Sequence, residues 1–135
     1  MAKINKLGVL TSGGDAPGMN AALRAVTRTA LYYNIDVTGI LNGYQGIIMG
    51  QFEQLQSYQV GAILQRGGTI LKSARSEAFR TESGRKKAYK NLESAGVDAV
   101  VVIGGDGTFK GAREFTAEYD IPFVGIPGTI DNDLY

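Results

Sequence analysis

At 135 residues, 44% hydrophobic and 20% charged, the chain has the length and apolar content of one domain able to bury a core. Its formal charge of +1, with no run of like charge longer than Arg85-Lys86-Lys87, supplies no basic field for nucleic acid or a membrane surface. The absence of histidine removes a His-based triad and a His metal site, and the absence of cysteine, of a long apolar span and of a signal-peptide core makes a reducing cytoplasm the expected compartment.

In chain order, residues 6–10 read as a short apolar strand that runs into Thr11-Ser12-Gly13-Gly14-Asp15-Ala16-Pro17-Gly18, a loop of small and turn-forming residues. Residues 19–33 follow as a helix, with Leu23, Val26, Ala30 and Tyr33 as its apolar stripe and Arg24 and Arg28, spaced i,i+4, on another face. Asn34 marks its end, and 35–41 is a second strand. Residues 42–50 hold three glycines and read as a loop, and 58–65 has the apolar spacing of a short helix. Arg66-Gly67-Gly68-Thr69, Ser73-Ala74-Arg75 and Arg80 place cations beside glycines, as a phosphate-facing loop would. Residues 82–95 form an amphipathic helix with Ala88, Leu92 and Ala95 inward, ended by Gly96. The central strand is expected at 98–103, a helix with Phe109, Ala112, Phe115 and Tyr119 buried at 108–119, and a last strand at 122–126.

Glycine is the outlier, 19 of 135 residues, about twice ordinary usage, and it gathers at strand ends. The run Ala99-Val100-Val101-Val102-Ile103 stops at Gly104-Gly105-Asp106-Gly107-Thr108. Such a turn lets backbone approach a ligand closely, and the free N–H groups of the following helix favour an anion. Alternating strands and helices with right-handed crossovers imply an α/β fold of the Rossmann-like kind: an open, mostly parallel sheet with helices on both faces. Ligands bind beyond the carboxyl ends of such strands, where three polar glycine loops converge here. Glycine-exposed backbone, arginines and aspartates without a nucleophilic Cys or His suit phosphoryl transfer. In such a site Gly14, Gly105, Asp106, Gly107 and Thr108 cradle phosphates, Asp106 holds Mg²⁺, Arg75 offsets charge on the moving group, and one of Asp131 and Asp133 is free to act as base. Neither a Walker loop nor a Gly-x-Gly-x-x-Gly fingerprint is present.

The segments Gly8-Val9-Leu10-Thr11-Ser12-Gly13-Gly14-Asp15-Ala16-Pro17-Gly18-Met19-Asn20, Gly104-Gly105-Asp106-Gly107-Thr108 and Pro127-Gly128-Thr129-Ile130-Asp131-Asn132-Asp133 resemble, in identity and order, the bacterial-type ATP-dependent 6-phosphofructokinases. The resemblance runs the length of the chain. It implies MgATP-dependent phosphorylation of fructose 6-phosphate at its 1-hydroxyl, a glycolytic step, by a cytoplasmic homotetramer. On that resemblance Gly14, Arg75, Ser76, Gly105, Asp106, Gly107 and Thr108 contact ATP, and Asp106 the Mg²⁺. Thr129, Ile130 and Asp131 contact the sugar phosphate, Asp131 is the base, and Arg24 and Arg28 face an ADP-type effector. Ser76 stands where the family usually carries an aromatic residue, so contact there is expected through the backbone. Family chains are well over twice as long, so residues 1–135 are expected to be an N-terminal ATP-binding domain lacking the enzyme's C-terminal part and inactive alone.

Three alternatives remain at this stage. A relationship to NAD kinases or diacylglycerol kinases would explain only the Gly-Gly-Asp-Gly-Thr turn. A pyrophosphate-dependent phosphofructokinase resembles the chain more widely, but such enzymes tend to carry Asp where this chain has Gly107 and Lys where it has Gly128. A nucleotide-binding fragment without catalysis is the third.

Overall fold

A computed structural model of the chain describes residues 3–12, 17–56, 71 and 76–127. The strands among them are β1 (Lys6–Thr11), β2 (Asp36–Ile40), β3 (Phe52–Gln54), β4 (Ala99–Gly104) and β5 (Phe123–Pro127), joined in one sheet of order β3-β2-β1-β4-β5. All neighbours run parallel except β2 and β3, which are antiparallel. The helices are α1 (Pro17–Tyr32), α2 (Gly43–Met49), α3 (Glu82–Ser94) and α4 (Asp106–Glu118), with a 3₁₀ turn at Ala78–Arg80. The strand expected to be central, β4, sits beside the middle strand β1.

Strand order reverses between β1 and β4: the chain steps one way from β1 to β2 and the other way from β4 to β5. With both crossovers right-handed, their helices must lie on opposite faces. The side chains divide accordingly. Val9, Val101 and Ile103 pack with Met19, Leu23 and Ala30 of α1, whereas Leu10, Val100 and Val102 pack with Ile47 of α2, Leu92 of α3 and Phe115 of α4. Every residue of β4 is buried, which is why its sequence reads as an unbroken apolar run.

Local sequence and tertiary contact disagree in four places. Residues 42–50, expected as a loop, contain α2, because Tyr44, Ile47 and Ile48 form a buried helical stripe that the intervening glycines conceal. Gly46 is required by packing and does not break the helix: a Cβ there would stand 1.6 Å from the Leu41 carbonyl oxygen. Asn42 and Gly50, both left-handed, bracket the helix. The short polar strand β3 has no alternation to betray it. Tyr33, expected on the buried stripe of α1, lies past the helix end and is 67% exposed; Asn34, at φ 62°, turns the chain away, and Thr27 fills the stripe instead. Finally, α4 begins at Asp106 and not at Thr108, since Gly105 serves as its N-cap. The helix expected at 58–65 lies outside the described residues.

Far from the reversal, at the amino ends of β1 and β4, the Asp98 carboxylate accepts from the Asn5 and Lys6 backbone N–H groups at 2.8 and 3.0 Å. Lys6 Nζ donates to the Ala95 carbonyl at the end of α3 at 2.9 Å. No helix among the described residues is long and apolar enough to cross a membrane.

Candidate active site

An open sheet forms a crevice where its strand order reverses, beyond the carboxyl ends of the diverging strands. Here those strands are β1 and β4, and three pieces of chain meet at their ends. The Ser12 N–H donates to the Ile103 carbonyl at 2.9 Å, carrying the first ladder one residue past β1. A Cβ on Gly104 would stand 2.6 Å from the Ser12 carbonyl oxygen and 2.7 Å from Thr108 Oγ1. Only glycine therefore lets the end of β1, the end of β4 and the first turn of α4 converge.

The next two glycines differ. Among the described residues a Cβ at Gly105 or at Gly107 would meet nothing within 4 Å, and Gly105 has an ordinary extended backbone, φ −123°. Neither torsion nor packing against the described residues demands glycine at these positions, so what their bare backbone provides is open space beside the described wall of the crevice. Asp106 stands exposed between them as the first residue of α4, where the unpaired N–H groups of the first turn face outward from the helix. Thr108, two residues on in the same turn, is buried.

Of the other residues predicted for the site, Ser76 is held by its hydroxyl, which donates to Gln45 Oε1 at 2.8 Å and accepts from the Phe79 N–H at 3.2 Å. Gly14, Arg75, Thr129, Ile130 and Asp131 lie outside the described residues. Arg24 and Arg28 are not part of this crevice turn. They lie along α1, on the sheet face opposite α4, with Arg28 exposed and Arg24 partly buried. Asn20 Oδ1, Arg24 Nε and Thr27 Oγ1 on that helix are buried atoms without a hydrogen-bond partner among the described residues.

Two residues that the sequence did not single out bear directly on the turn. The Tyr44 hydroxyl donates to the Thr108 carbonyl oxygen, and the Tyr44 ring stacks on Phe79 at a centroid distance of 4.1 Å and an angle of 8°. Burial pushes the ionisation of this phenol well above its usual range, so it remains a donor. Gly111 makes room for it: a Cβ there would stand 2.9 Å from the ring. The signal in the sequence is slight, a tyrosine among glycines and a glycine inside an otherwise regular helix. Behind the site, Arg85 is buried, clasps both carboxylate oxygens of Glu118 at 2.7 and 2.9 Å and donates to the Phe79 carbonyl at 3.0 Å.

Comparison with known proteins adds the following. A sequence model described as "Phosphofructokinase" matches residues 6–135. The chain is 55% identical over 135 residues to ATP-dependent 6-phosphofructokinase 2 of Bacteroides thetaiotaomicron, covering 100% of this chain and 41% of that protein. It is 58% identical over 131 residues to the ATP-dependent 6-phosphofructokinase of Halothermothrix orenii, covering 97% and 40%. The solved structure of Pichia pastoris phosphofructokinase in the T-state superposes with a TM-score of 0.87 at 41% identity, over 98% of this chain and 16% of that one. The chain thus spans about two fifths of the length of the curated relatives it matches.

Proposed function

The chain belongs to the phosphofructokinase family, and from that premise we propose that its residues form the N-terminal, ATP-binding part of a bacterial-type ATP-dependent 6-phosphofructokinase. The reaction transfers the γ-phosphoryl group of MgATP to the 1-hydroxyl of fructose 6-phosphate, giving fructose 1,6-bisphosphate and ADP. This part alone does not complete the reaction, which needs groups from the rest of the enzyme.

One observation carries the reading: the space at Gly105 and Gly107, which packing among the described residues does not require and which suits close approach of nucleotide phosphates to backbone N–H groups. Gly14, Arg75 and Ser76 complete the nucleotide contacts, and the buried Thr108 side chain packs against bare Gly104. Asp106 is an exposed carboxylate beside that space, a donor suited to Mg²⁺, which binds through one or two carboxylates with phosphate oxygens and water completing its shell. When bound, the ion neutralises charge across the phosphates. Thr129, Ile130 and Asp131 meet the sugar phosphate. As the 1-hydroxyl oxygen bonds to the γ-phosphorus and the bond to the ADP oxygen breaks, Asp131 takes the hydroxyl proton.

The donor is ATP and not pyrophosphate, because glycine at 107 leaves room for the rest of the nucleotide and glycine at 128 offers no cation to a compact donor. An ADP-type effector at Arg24 and Arg28, a cytoplasmic setting and a homotetramer belong to the same proposal. The position of both arginines away from α4 supports a second, separate anion site.

A full-length protein carrying these residues, given MgATP and fructose 6-phosphate, is expected to form the bisphosphate and ADP in equal amounts in a coupled assay. A folded protein that forms none would overturn the proposal. Equal turnover with pyrophosphate would overturn the donor assignment, and Gly107→Asp with Gly128→Lys is expected to depress kcat/KM for ATP severely.

A further inference from the structure

One helix of seven residues, α2, reaches both described parts of the nucleotide-facing surface. Its Tyr44 touches the first turn of α4 through the Thr108 carbonyl. Its next residue, Gln45, holds Ser76. The helix is itself fixed at its far end, where Asn91 Nδ2 of α3 donates to the Ile47 and Ile48 carbonyls at 2.8 and 2.9 Å.

Packing alone does not call for the Tyr44 hydroxyl. Phenylalanine would fill nearly the same volume and stack equally well on Phe79, and it would bury no polar atom. The Thr108 carbonyl already has its partner one turn on in the helix. What the hydroxyl adds is a restraint on direction: it reads the first turn of α4 at the residue that ends the Gly105, Asp106, Gly107 and Thr108 turn. Gly111 admits it, at a position where any side chain would strike the ring.

We infer that α2 is a positioning bracket for the donor nucleotide, in which Tyr44 sets the first turn of α4 and Gln45 sets the Ser76 segment, neither touching the reacting atoms. The inference rests on the nucleotide reading of the crevice given above.

The test uses the full-length protein with Tyr44→Phe, Gln45→Ala and Gly111→Ala. Calorimetry with MgATP alone is expected to give a Kd raised about five- to tenfold for Tyr44→Phe, the equivalent of one lost hydrogen bond. The KM for fructose 6-phosphate and the kcat at saturating ATP stay within about twofold, a split that general loosening of the fold does not produce. Hydrogen exchange at the amides of 109–112 should quicken without ligand. Gly111→Ala, which displaces the ring while keeping the hydroxyl, should reproduce the effect, and the double variant should lose no more than either single one. Gln45→Ala should raise the Kd for MgATP and leave exchange in α4 unchanged. An unaltered MgATP Kd in Tyr44→Phe, or additive losses in the double variant, would overturn the bracket. A wild-type protein that bound no nucleotide would instead sink the proposed function, and the exchange measurement would still decide whether Tyr44 restrains α4.

Discussion

The ring of Phe109 lies against the backbone of Gly125: a Cβ on Gly125 would stand 2.7 Å from both Cδ1 and Cε1. Phe109 belongs to the second turn of α4, and Gly125 pairs with Val102 in the register of β4 and β5. The contact therefore sets how closely α4 lies on the strand that leads into residues 128–133. Gly125→Ala is expected to cost about 1–3 kcal/mol by overpacking. A lower urea midpoint with an unchanged slope would register it, and Phe109→Leu in the same chain should recover part of the loss. Full stability of Gly125→Ala would mean that the ring yields freely.

Asp106→Ala is expected to abolish Mg²⁺-dependent nucleotide binding and to leave the circular dichroism spectrum intact, since the carboxylate is exposed and supports no packing. Calorimetry of ATP with and without Mg²⁺ measures it. Unchanged affinity for MgATP would return Asp106 to the status of a solvated helix start.

Asp131→Asn in the full-length protein is expected to lower kcat by about 10² or more while both KM values change little. A positioned base contributes about 10² to 10⁴ in rate, and the amide preserves shape. Steady-state kinetics decide the matter: a variant keeping a third of normal kcat removes Asp131 from the mechanism.

The Arg85–Glu118 pair gives the fold an acid-sensitive clasp. Hydrogen bonding from Arg85 holds the Glu118 carboxyl below its ordinary range, so the folded chain binds that proton less readily than the unfolded one. The pair's contribution is complete above the ordinary glutamate range, near pH 4.3, and is lost as the pH falls below it through the depressed value. Thermal melts between pH 3 and 7 should show a shallower acid limb in Glu118→Gln than in the parent. Parallel curves would assign the acid sensitivity elsewhere.

The parts of this fold legible in sequence are those where one period dominates. The run from Ala99 to Ile103 announces a strand covered on both faces, and the stripe of Ala88 and Leu92 a helix. Tertiary demand overrides local propensity elsewhere. Gly46 looks like a breaker because its reason, the Leu41 carbonyl, is a backbone contact that no periodicity encodes. The site divides the same way. Gly105, Asp106 and Gly107 stand out because glycine and aspartate at a strand end carry a local signal, whereas the link from Tyr44 to Thr108 joins residues far apart in the chain and leaves no mark on either neighbourhood.

The crevice lies between two strands that are distant in sequence, residue 7 being paired with residue 99, while β1 with β2 and β4 with β5 each close over a single helix. Loop-closure entropy makes this the costliest pairing of the sheet to nucleate, and topologies of high contact order fold slowly. On a ribosome the crevice cannot take shape until β4 has emerged, so β1 and α1 wait through most of this segment's synthesis with the β4 edge of β1 uncovered. The side of β1 that ends at the centre of the finished sheet is thus the edge most open to mispairing in the nascent one.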